Sequence, residues 1–89
     1  FTISQAFICF EKIIEKLVTK VDVQFQKNNL MEQINIVFEN NLLPNKFKKD
    51  LHLIRKARNE WFHTGKEPNQ ETYNILLDIL DKTDTKPLL

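Results

Sequence analysis

Leu51-His52-Leu53-Ile54-Arg55-Lys56-Ala57-Arg58-Asn59-Glu60-Trp61-Phe62-His63-Thr64-Gly65 gathers both arginines, both histidines, the only tryptophan and the only glycine of an 89-residue chain. Lysine carries the remaining basic charge, eleven Lys to two Arg, yet two guanidinium groups fall three residues apart here. The distinction matters because the planar fork of Arg can hold two phosphate or carboxylate oxygens at once. Apolar residues at Phe47, Leu51, Ile54, Trp61 and Phe62 follow helical spacing. Continued in three- and four-residue steps, that stripe runs through Arg58. A permanent charge on a core-facing seam requires a carboxylate, a subunit interface or a polar cleft. Gly65 stops the helix and leaves His63 in its last turn, where the helix dipole favours a cation.

On an ideal helix Arg58 and His63 lie ~140° apart, so a straight monomeric helix does not join them in one compact dyad. Asn59 and His63 share a face, which Lys56 and His52 continue. The site then forms either by distortion of the helix near Thr64-Gly65 or where two copies meet.

The segment Arg58-Asn59-x-x-x-His63 resembles the Arg-(Asn/His/Asp)-x-x-x-His signature of HEPN domains, small helical bundles found in many RNases, toxins and defence proteins. The resemblance extends to the surroundings, with two amphipathic helices before the motif helix, a Gly stop, and a Pro-led helix after it. It implies metal-independent RNA cleavage in a homodimer whose two motifs line one cleft, on single-stranded RNA and without a cofactor. In that scheme His63 is the general acid or base around the 2′-hydroxyl and leaving 5′-oxygen, yielding 2′,3′-cyclic phosphate ends. Arg58 stabilises charge on the phosphoryl oxygens, and Asn59 orients the ring or the phosphate. Two positions depart from family patterns. Gly65 stands where members paired with a nucleotidyltransferase antitoxin often carry Tyr, which argues against such a pair. Phe62 is bulkier than the small residue many members place before the His.

Charge is unevenly distributed. Residues 1–44 carry four Lys against five acids, residues 45–66 five Lys and two Arg against Asp50 and Glu60, and residues 67–89 two Lys against five acids. The basic excess therefore sits on the motif helix and just past its end, where Lys48, Lys49, Arg55, Lys56 and Lys66 are the candidate RNA-binding residues. A net charge of +1 disfavours a domain that coats any duplex.

Eighty-nine residues make one domain, here expected to be cut from a longer protein because Phe1 opens inside a helical pattern. A chain this short buries only roughly 60% of its unfolded surface, so a partner surface or second copy is expected. No run reaches the ~20 apolar residues of a membrane span, and no signal peptide is visible. The single cysteine, Cys9, excludes an internal disulfide and reads as a small buried hydrophobe in a reducing, intracellular compartment, cytoplasmic or nuclear. One Cys and two His eleven residues apart match no zinc spacing, and there is no phosphate loop. No metal is expected.

The expected architecture is all-α, a small four-helix bundle with mostly antiparallel helices. Helix one runs from about Phe1 to Thr19 on Ile3, Ala6, Phe7, Phe10, Ile13, Ile14, Leu17, Val18 and Val21. Ile8 and Cys9 widen its apolar surface. Val21 to Lys27 alternates like a strand but has nothing to pair with, and reads as a helix end plus an extended connection. Helix two starts at an Asn29 cap, with Glu32 in capping-box position, and buries Leu30, Ile34, Val37 and Phe38. Asn40-Asn41 ends it, Leu42-Leu43-Pro44 turns the chain, and Asn45 caps helix three. Asn69 caps helix four, built on Tyr73, Leu76, Leu77 and Leu80, and residues 81–89 form a frayed tail.

The competing functional reading is a non-catalytic interaction or dimerisation domain of a larger protein. It makes Arg58 a structural residue paired with a carboxylate such as Asp78, His63 a helix-end residue and Asn59 a local hydrogen-bonder. Under either reading Trp61 and Phe62 are expected to be core or interface residues. A nucleotide-binding role for the same basic helix stays open.

Overall fold

The computed structural model describes residues 2–21 and 29–83. Over them the chain forms four α-helices, α1 (Ile3–Thr19), α2 (Leu30–Glu39), α3 (Lys48–Thr64) and α4 (Gln70–Lys82). Together they make the small all-α bundle the periodicity predicts. The stretch from Val21 to Lys27 read as an extended connection lies, beyond Val21, outside the described residues, as does the tail 84–89.

Each helix forms where its apolar residues recur at three and four and where its ends are satisfied. α1 buries Ala6, Phe7, Phe10, Ile13, Ile14 and Val18, the predicted stripe; Val21, beyond the helix, is 44% exposed. Thr2 caps it in a full capping box, its hydroxyl accepting from Gln5 N–H and the Gln5 side chain accepting from Thr2 N–H. At α2 the Asn29 side chain accepts from Glu32 N–H at 2.9 Å, but Glu32 meets the Asn29 side-chain amide instead of its backbone, so the box is half made.

α2 ends as predicted, and the reason is visible. Asn41 takes the left-handed conformation (φ 55), Asn41 N–H donates to the Phe38 carbonyl and Leu42 N–H to the Val37 carbonyl. That pair of bonds is the Schellman closure, with Asn in the position glycine usually holds. The approach to α3 differs from expectation. Asn45 does not cap it; Asn45–Phe47 form a 3₁₀ turn behind Pro44, and Phe47 enters α3 with helical backbone angles and no side-chain cap. Helical angles already set at Phe47 leave no extended residue to act as a cap. Gly65 closes α3 at φ 73, donating to the Trp61 carbonyl. Asn69 caps α4 by accepting from Thr72 N–H at 2.7 Å. α4 continues through Asp81 and Lys82, two residues into the stretch expected to fray, helped by a Lys82–Asp78 pair and by Thr83 Oγ1 donating to the Ile79 carbonyl.

The core joins Phe7, Phe10 and Ile14 of α1 to Ile34 and Val37 of α2, Leu51 and Ile54 of α3, and Leu76 and Leu80 of α4. Ile79, outside the stripe expected for α4, is buried, while Tyr73 and Leu77 are half-buried. α1 packs against α2 and α4, and α3 packs against the same two. Where α1 and α3 meet, they do so through long side chains, and the candidate site sits there.

Candidate functional site

Arg58 lies on the inward side of α3, as the stripe requires, and its charge is met by α1. Nη2 donates to Glu11 Oε1 at 3.1 Å and Nη1 donates to Asn59 Oδ1 at 3.2 Å. The guanidinium carbon stands 4.9 Å from the centre of the Phe62 ring, a cation–π contact, and Nε is buried with no hydrogen-bond partner among the described residues. Asp78, the partner suggested by the competing reading, is instead bonded to Lys82 at 3.0 Å on the exposed side of α4. The i,i+4 spacing makes that local pair, whereas Arg58 reaches across to α1.

Phe62 is 45% exposed and touches Phe7 at a ring separation of 6.3 Å. It thus serves as a platform for Arg58, half in and half out of the bundle. Trp61 packs against the core and donates from Nε1 to Ser4 Oγ at 2.9 Å. Ile8, which widens the apolar surface of α1, is 43% exposed.

A cleft of roughly 480 Å³ opens beside Arg58. Arg55, Arg58 and Asn59 of α3 line it, with Glu11 and Glu15 of α1 opposite and the start of α2 as a third wall. Arg55 donates from Nε to Nδ1 of His52 at 3.4 Å. His52 is half-buried, and its pKa is lowered by that burial, then by the cations of Arg55, Lys48 and Lys56. Its Nδ1 accepts, so the neutral ring carries its proton on Nε2.

The structure thus brings together Arg58, Asn59 and Arg55 and leaves His63 apart. His63 is exposed and does not line the cleft. α3 is regular through Thr64, so no helix distortion carries His63 round to Arg58. Lys48, Lys49 and Lys56 are exposed, and Lys66 makes an exposed pair with Glu60 at 3.3 Å. Glu11 and Glu15 are the site residues that sequence reasoning missed. Their i,i+4 spacing on the polar face of α1 is common to solvated helices, and nothing local points to a partner 47 residues away.

Residues 2–83 match the family model described as Domain of unknown function (DUF4145). The chain belongs to that family. No curated protein and no solved structure matches it. Within this DUF4145 domain, no helix among the described residues is long and apolar enough to cross a membrane. No group of three or more His, Cys, Asp or Glu among those residues is placed to hold a metal ion.

Proposed function

We propose that this DUF4145 domain is a HEPN-type module that binds single-stranded RNA and cleaves it without a metal, acting as a homodimer. The observation that carries the reading is the placement of Arg58 with Asn59 and Arg55 at one cleft, with His63 exposed on the same helix beyond it. The motif's anion-binding residues are thus grouped in one chain, while its histidine faces outward, where a second copy can bring it to a phosphate. Arg58 and Asn59 hold the phosphoryl oxygens. His63 moves a proton between the 2′-hydroxyl, which attacks phosphorus, and the 5′-oxygen, which leaves as the P–O5′ bond breaks. The products are a 2′,3′-cyclic phosphate and a 5′-hydroxyl. Exposed Lys48, Lys49, Lys56 and Lys66 supply counter-charge to the strand.

The Glu11 clamp favours a second reading. Arg58 already has a carboxylate, an amide oxygen and an aromatic face, which suits a structural residue in a non-catalytic interaction domain. Cleavage of a mixed single-stranded RNA in EDTA separates the two. The nuclease reading expects cyclic phosphate ends, lost in folded Arg58→Ala and His63→Ala. No cleavage by well-folded protein at high concentration rejects it in favour of the interaction domain.

A further inference from the structure

α1 and α3 present two acid–arginine rungs to one cleft, one closed and one open. In the closed rung Arg58 Nη2 donates to Glu11 Oε1. One turn away on each helix stand Glu15, four residues after Glu11, and Arg55, three before Arg58. Both line the cleft, yet among the described residues no ion pair joins them. Arg55 uses Nε on His52, and its terminal amino groups have no hydrogen-bond partner among the described residues. Glu15 is exposed and likewise without one.

Two carboxylates against two guanidiniums balance the cleft electrically, so its Glu15 end does not favour a phosphate, while Arg58 and Asn59 keep the scissile one. What fits an open rung is a neutral, planar group with donors on one edge and acceptors on the next. A volume of roughly 480 Å³ falls within the range of small-molecule sites. Met31, 45% exposed on the α2 wall, supplies an apolar surface for a ring. Among the RNA bases only guanine carries two adjacent donor groups, N1–H and the N2 amino group, which together satisfy both oxygens of a carboxylate. Its O6 and N7 accept from a guanidinium. Adenine, cytosine and uracil each offer one donor group and leave a carboxylate oxygen unmet.

We infer that this cleft reads a base, and that the base is guanine, with Glu15 taking the N1–H/N2–H edge and Arg55 the O6/N7 edge. The inference rests on the RNA reading above and adds base selection to it; the scissile phosphate stays with Arg58 and Asn59, and the strand's other phosphates lie on the exposed lysines of α3.

The test is fluorescence anisotropy with uncleavable 2′-O-methyl strands, a short oligouridylate and the same strand with one central guanine, adenine or cytosine. The guanine strand binds about tenfold or more tightly than oligouridylate. Glu15→Gln and Arg55→Ala bring that ratio close to one, with folding checked by circular dichroism and Arg55→Lys as the milder variant. Equal binding of all four strands, preference for another base, or a guanine ratio that survives Glu15→Gln overturns the inference and leaves the RNA reading standing. Absence of binding to every strand, or binding unchanged in both Arg58→Ala and Lys56→Ala, overturns the RNA reading and this inference with it.

Discussion

Arg58 and Glu11, 47 residues apart in sequence, meet at 3.1 Å across the bundle. The two side chains are 28% and 32% exposed, so water screens the pair. Its contribution belongs near the upper end of surface pairs, about 1 kcal/mol, well below the 3–5 kcal/mol that breaking a dry pair costs.

A double-mutant cycle of Glu11→Gln and Arg58→Gln in urea is accordingly expected to give a coupling of about 1 kcal/mol or less. A coupling above about 3 kcal/mol would mean that the pair is effectively dry.

Ser4 accepts the indole N–H of the chain's only tryptophan. Ser4→Ala leaves that half-buried donor unmet and is expected to lower the unfolding free energy by about 1 kcal/mol. Trp61 emission follows both the unfolding transition and the change at the site. Unchanged stability with unchanged emission would show that water replaces the hydroxyl without loss.

His52 gives the domain an acid-side weakness. Burial comes first among the causes that lower its pKa below 6.5, followed by the positive charges of Arg55, Lys48 and Lys56. The unfolded chain therefore takes up the proton more readily, and stability rises with pH between the folded value and about 6.5 and is flat above it. On acidification from neutral pH the loss begins near 6.5, and the protonated ring can no longer accept from Arg55. Denaturation of the wild type and His52→Asn at stepped pH should show a steeper acid-side decline in the wild type. Parallel curves would remove His52 as the cause.

Gly65 holds φ 73, and a Cβ built there meets nothing within 4 Å. Gly65→Ala thus pays backbone strain alone, about 1–2 kcal/mol, with no clash to add. Gly65→Asn, which tolerates the left-handed region better, is expected to lose less. Melting temperatures ordered Gly above Asn above Ala would bear this out; equal losses would point to a role for the glycine beyond its backbone angle.

What the residues disclosed in advance follows the range of the forces involved. Phe10, Ile34, Leu51 and Leu76 announced themselves by spacing, because one helical face is set within a few residues. Asn29 and Asn69 likewise cap neighbours three residues away, and Thr2-x-x-Gln5 carries the same local signal. The start of α3 is not legible, because Asn45 has a cap's chemistry while the 3₁₀ turn behind Pro44 sets the backbone before a cap is needed. Arg58 could be seen to need a partner, but not which one: Glu11 and Asp78 are equally plausible carboxylates until the helices are packed. The open rung at Glu15 and Arg55 is a property of two surfaces facing each other and has no signature in either segment.

α3 gives the core only Leu51 and Ile54 as buried residues, where α1 gives six. The helix that bears the arginines and histidines is thus lightly committed to holding the bundle together. Replacements along its outward side cost folding little, so the chemistry of that face can change while the frame stays intact. A fold arranged in this way is a durable chassis with an interchangeable working edge.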